Sequence, residues 1–202
     1  MSAETPLPSF QVLAGTVEQL QRFAAGGYLF AIMDGCFCPQ VLDHLQQSAP
    51  SRVMPLLAPT PELNGAPIPA LIQVDGPMLE FILAEVGQNP WGVFAMSKSD
   101  LDSLRLHFRR FLVVELPDGD NWLFRFFDPR LLPTYLNHCE DWELQKFFGP
   151  VRGFGIPSGE SIAIVQYKAE EMDSSRVRTD PNASLVWHIR PEQARALSQS
   201  GD

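Results

Sequence analysis

Two arginines and an aspartate stand among aromatic residues in the run Arg125-Phe126-Phe127-Asp128-Pro129-Arg130. A guanidinium offers a planar fork that pairs bidentately with carboxylates and stacks on aromatic faces. Three roles fit such a run: a structural ion-pair lock, a protein-docking contact, or an anion-binding catalytic site. The lock is favoured. Arg125 shares a strand face with Leu123 and Phe127, which draws its guanidinium out of water, and a desolvated cation is costly unless paired. Asp128, three residues on, either pairs with Arg125 or caps the turn at Pro129. Arg130 is then left to reach the acidic first half of the chain or an external partner.

Other reactive side chains form no recognisable centre. Cys36 and Cys38 are separated by one residue, whereas structural zinc wants two to four, so these and His138-Cys139 read as ordinary thiols and a neighbouring histidine. His44, His107, His138 and His188 are scattered, without metalloprotease spacing. His107 has Ser103 one turn earlier and Asp100 beyond, a helix-surface arrangement rather than a triad. Asp118 and Asp120 flank a glycine and belong to turn chemistry rather than to paired catalytic carboxylates. Gly153-Phe154-Gly155 is too short for a phosphate cradle, and Ser158 to Ser161 reads as a turn. No nucleophile elbow or dinucleotide fingerprint occurs. No cofactor or metal is expected.

The elements that must position these residues follow from pattern. Thr16 with Gln19 forms a capping-box start for a helix ending near Gly26-Gly27. Apolar runs at Tyr28–Met33, Val53–Leu57, Ala70–Val74 and Trp91–Met96 read as strands. Helices are expected at Pro39–Ser48, at Pro77–Val86 and after a Ser99 cap. In the last, Leu101, Leu104 and Phe108 form the buried stripe, and acids at one end with Arg109 and Arg110 at the other complement the dipole. The proline-rich stretch 58–69 is a loop.

Phe111–Leu116 and Asn121–Phe127 read as a hairpin around Asp118-Gly119. A two-residue turn sets Val113 opposite Phe124 and Val114 opposite Leu123, while Pro117 leaves a longer loop and shifted register open. A turn at 129–132, helices at Pro133–Asn137 and Asp141–Phe148, a strand at Ile162–Lys168, a polar loop at 170–182, a strand at Ser184–Ile189 and a helix from Pro191 complete the order. The expected fold is a single mixed α/β domain, a mixed sheet including an antiparallel hairpin at about 111–127, with helices on both faces. Residues 1–27 form a helical lead-in, 28–157 the core, and 158–202 strands and a helix packing on the same domain.

At 202 residues, with 45% apolar and 10% aromatic composition, the chain can bury a substantial core. The net charge is −9, and residues 1–104 carry only Arg22, Arg52 and Lys98 against ten acids. An acidic surface repels nucleic acid and anionic lipid, so neither is an expected partner. The three cysteines form no disulfide framework, and the start lacks a signal peptide. No stretch nears the roughly 20 apolar residues of a membrane span. A soluble, reduced, cytoplasmic protein is expected.

Several segments taken together resemble a known family. Trp91-Gly92 is followed by Ser97, the helix bearing Leu104 and Phe108, Leu123 through Arg130, Phe147-Phe148-Gly149-Pro150, and Pro191-Glu192-Gln193 to Leu197. Their order and spacing are similar to the effector chaperones, or adaptors, of the bacterial type VI secretion system, from about Tyr28 to Gly149 with a weaker echo to Leu197. The resemblance implies a non-enzymatic cytoplasmic protein that binds a toxic effector and helps load it onto the valine–glycine-repeat spike protein (VgrG). It implies that Trp91, Arg125, Asp128, Arg130, Phe147 and Phe148 form a protein-binding or structural motif. Many such adaptors continue into a further helical lobe, and the sequence ending at Asp202 sets the expectation that this one lacks it. Two competing classes are a small hydrolase using His107 or the Asp118/Asp120 pair, and an immunity-like toxin-binding protein.

Overall fold

The computed structural model describes residues 10–57, 68–115, 121–158, 161–167, 187–188 and 191–199. Ten strands and seven α-helices lie in them. In chain order they are β1 (Phe10–Gly15), α1 (Val17–Ala25), β2 (Leu29–Met33), α2 (Pro39–Ser48), β3 (Val53–Pro55), β4 (Ala70–Val74), α3 (Gly76–Glu85), β5 (Gly92–Ser97) and α4 (Leu101–Leu112). Then follow β6 (Val113–Glu115), β7 (Asn121–Leu123), α5 (Leu131–Asn137), α6 (Asp141–Phe148), β8 (Val151–Ser158), β9 (Ser161–Tyr167), β10 (Trp187–His188) and α7 (Pro191–Gln199).

Seven strands form one sheet in the order β1-β9-β8-β5-β2-β4-β3, and every neighbouring pair is antiparallel. The mixed α/β class expected from the sequence is therefore correct. Among the described residues, mixed strand directions occur only in a small second sheet, β10-β6-β7, where β10 runs parallel and β7 antiparallel to β6.

Both faces of the large sheet are covered, as its nearly unbroken apolar strands require. β2 is buried along its whole length and divides its side chains between two cores. Phe30 and Ile32 join Val93, Phe154 and the apolar residues of α4, α5 and α6. Leu29, Ala31 and Met33 join Phe94, Met96 and the inner faces of α1, α2 and α3.

The hairpin is shorter than expected. Phe111 and Leu112 end α4, and the pairing is Val113 with Leu123 and Val114 with Trp122, one residue from the two-residue-turn register. The hairpin tip with Asp118 and Asp120 lies outside the described residues, as do 58–67, 159–160, the 170–182 loop and the first residues of the expected 184–189 strand.

Thr16 makes the expected capping box with Gln19. The cap of α4 is Asp100 rather than Ser99: its Oδ1 accepts Ser103 N at 2.8 Å, and a carboxylate there also meets the positive helix end. α5 begins at Leu131, so Pro133 falls in its first turn, where a missing N–H costs nothing. β1 was not expected, and β8 was implied only by the turn between strands at Ser158–Ser161, which holds, without bounds of its own. β8 runs between β5 and β9 despite Gly153, Gly155 and Pro157.

Candidate functional site

β2 ends at Met33 and hands the chain to Asp34, which is only 2% exposed. Its backbone N–H donates to the Trp91 carbonyl at 2.7 Å. Gly92 makes this junction possible, because a Cβ there would stand 2.0 Å from the Ile32 carbonyl oxygen. The Trp-Gly pair is thus a backbone-on-backbone contact beneath the site, with Trp91 itself in the core. The Asp34 carboxylate then closes a tight turn: Oδ1 accepts Cys36 N at 2.9 Å, and Phe37 N donates to the Asp34 carbonyl.

The second half of the site comes from the turn after β7. Asp128, 1% exposed, accepts from Arg130 three times: backbone N to Oδ1 at 2.9 Å, Nε to Oδ1 at 3.0 Å and Nη2 to Oδ2 at 2.7 Å. Its backbone carbonyl receives Leu131 N and Leu132 N, which starts α5. Arg125 reaches across to Asp34 Oδ2 in a short ion pair and lies 3.8 Å from Asp128 Oδ2. Phe37 floors both cations, with Arg125 and Arg130 at 5.4 and 5.8 Å from its ring centroid.

Asp128 caps the turn at Pro129, one of its two expected roles, and stands within ion-pair distance of Arg125, the other. The expectation for Arg130 is corrected: Arg130 clamps Asp128, and it is Arg125 that reaches the acidic first half. The sequence reading missed Asp34 and Phe37. A carboxylate closing a wholly apolar strand was the available signal for the first. For the ring there was none beyond its place between two cysteines.

Two buried carboxylates and two half-exposed guanidiniums balance in charge. The bidentate contact from Asp128 raises the Arg130 pKa. Burial first, and then Asp34, pushes the exposed Cys36 thiol up, which keeps it protonated and a poor nucleophile. Burial and Asp34 do the same to Cys38. Among the described residues, no cluster of three or more His, Cys, Asp or Glu side chains could hold a metal. The surface can therefore offer N–H edges and an aromatic rim to a partner, but it holds no activated nucleophile.

Phe147 and Phe148 are core residues. The Phe147 ring packs among Phe111, Phe126, Tyr135 and Phe154 at centroid distances of 5.1 to 5.6 Å. His107 overturns its surface assignment. It is buried, and its Nε2–H donates to the Phe147 carbonyl at 2.8 Å. Burial lowers its pKa to about 4, so the ring is neutral and its proton is held. Gly149 follows with φ +47°, and a Cβ there would meet His107 Cε1 at 2.5 Å. Ser97 Oγ, buried nearby in sequence order, donates to the Pro150 carbonyl and so ties the end of β5 to the end of α6.

The C-terminal echo has a physical basis too. Gln193 of α7 is fully buried, and its Nε2 donates to the His138 carbonyl and to Glu143, docking the terminal helix on α5 and α6. Trp142 is 47% exposed, and the Trp187 side chain lies outside the description.

Residues 29–146 match the model of a family described as a domain of unknown function, DUF4123. No curated protein and no solved structure matches the chain. No helix among the described residues is long and apolar enough to cross a membrane.

Proposed function

The chain belongs to the DUF4123 family, whose model spans more than half of it, and from that premise we propose a non-enzymatic adaptor. It binds a secreted effector of a type VI system in the cytoplasm and promotes its loading onto the VgrG spike. The observation that carries this reading is the family match, read with the motif succession that resembles effector chaperones. The matched span encloses the whole assembly of Asp34, Phe37, Trp91-Gly92, Arg125, Asp128 and Arg130. That assembly is charge-balanced and held rigid, a scaffold for docking rather than for turnover. His107, the best candidate for a hydrolase base, has its Nε2–H committed to a carbonyl and is buried away from any substrate.

The test is co-purification with the effector encoded beside this chain, together with effector abundance and secretion in a deletion strain. The adaptor reading expects a stable complex and loss of secreted effector. Normal effector stability and secretion without this protein would overturn it.

A further inference from the structure

Of the three basic residues in the acid-rich first half, Arg52 is taken up by Asp75 at 2.5 Å. The other two, Arg22 and Lys98, converge on Tyr28. Lys98 Nζ stands 5.9 Å from the Tyr28 ring centroid, and Arg22 lines an open concavity of about 380 Å³ with Gln19, Phe23 and Tyr28. Neither cation is in an ion pair among the described residues. Arg22 acts only from a distance on Glu18, one helical turn earlier.

Tyr28 is 42% exposed, yet its position is fixed. Its N–H donates to the Phe23 carbonyl at 2.9 Å and its carbonyl accepts Ser97 N at 3.0 Å. The ring lies across Gly26, where a Cβ would meet it at 2.8 Å. An exposed aromatic with Lys98 over its ring and Arg22 lining the same concavity, neither of them in a direct ion pair among the described residues, is therefore built into the end of α1 and the start of β2.

We propose that this cradle binds an acidic peptide segment of a partner protein. One carboxylate faces Arg22, another faces Lys98, and an apolar or aromatic side chain rests on Tyr28 and Phe23. The concavity is open, which suits a chain crossing the surface rather than an enclosed small molecule. A short acidic segment finds local complementarity in the two cations. Tyrosine and arginine are also the side chains that most often anchor interfaces. The four residues lining the concavity precede residue 29, where the family match begins, and Lys98 lies within the match, so the cradle straddles the edge of the shared domain. The inference rests on the adaptor reading only for who the partner is.

The experiment is fluorescence anisotropy of the full chain with a fluorescein-labelled Glu-Asp-Phe-Asp-Glu probe. Saturable binding is expected, weakening about tenfold between ~50 and ~300 mM NaCl as screening shortens the reach of each charge. The double variant R22E/K98E should lose at least about tenfold in affinity and Tyr28→Ala several-fold, while Arg52→Gln binds as wild type. Unchanged melting of the variants shows that folding is intact. Equal binding by R22E/K98E, equal binding of a Lys-Lys-Phe-Lys-Lys probe, or displacement by low-millimolar inorganic phosphate each overturns the proposal. If the wild type ignores the probe but still co-purifies with the effector, the cradle alone fails. If the probe binds and the effector does not, the adaptor reading alone fails.

Discussion

Asp34 and Asp128 at the charged turn, and His107 at the joint between α4 and α6, are all ionisable groups taken out of water. At the first site each buried carboxylate has a guanidinium beside it, and the arginines keep 34% and 49% of their side chains in solvent. At the second no counter-charge is supplied: His107 meets Phe108, Phe111 and a backbone carbonyl, and the nearest influence of note is the like charge of Arg110. One site resolves burial by pairing and the other by neutralisation. Pairing leaves donors at the surface that a partner can use. Neutralisation leaves only a packed joint between α4 and the end of α6.

The largest expected effect comes from the packed joint. Phe147→Ala removes the ring that packs against Phe111, Phe126, Tyr135, Phe148 and Phe154 but keeps the carbonyl that His107 uses, and should cost about 4 kcal/mol in a urea melt. A cost under about 1 kcal/mol would mean that the joint is not held by packing, and the contrast with the charged site would collapse. Next is pH. His107 titrates near 6.5 unfolded and at about 4 folded, so the unfolded chain binds the extra proton between those values. Its contribution is complete above pH 6.5 and is lost as pH falls toward 4, for a total of about 3 kcal/mol. Stability measured across that window should fall less steeply in His107→Gln than in wild type. Identical slopes would show that the imidazole is not neutral in the fold.

The helical and strand periods were largely legible, and the relations between elements were not. α2 and β4 fall where their patterns place them, because a proline at the first helical position and apolar spacing are local. β8 was legible only as the strand before the Ser158–Ser161 turn, and its extent was not, because Gly153, Gly155 and Pro157 weaken a strand pattern that the neighbours β5 and β9 complete. The uniformly antiparallel sheet was equally hidden, since a βα alternation does not state strand direction. His107 was legible in retrospect: it lies three residues after Leu104 and four before Phe111, inside the buried stripe of α4. At the charged site the residue types were readable and the pairing was not. Arg125 and Asp34 are 91 positions apart, and nothing local chooses that partner over Asp128.

That choice is testable. Arg125→Ala leaves the buried Asp34 without its ion-pair partner, and should cost about 2–3 kcal/mol, less than a fully enclosed pair because Arg125 is partly solvated. In double-mutant cycles, Arg125 should couple to Asp34→Asn by about 2 kcal/mol and to Asp128→Asn by less than about 1 kcal/mol. The reverse ranking would restore the local Arg125–Asp128 lock that the sequence suggested.

Arg130→Ala should have the smallest effect, about 1 kcal/mol. The substitution deletes the two guanidinium bonds to Asp128, but the residue-130 N–H still reaches Oδ1 and Arg125 remains 3.8 Å away. Because Arg130 is also the more exposed of the two arginines, its loss should fall more on partner binding than on melting. Measured side by side, Arg125→Ala should melt lower while Arg130→Ala melts near wild type and co-purifies less effector. If Arg130→Ala instead melts lower than Arg125→Ala, then Asp128 is the carboxylate whose pairing holds the turn, and the exposed edge of Arg130 is a by-product of that clamp rather than a docking surface.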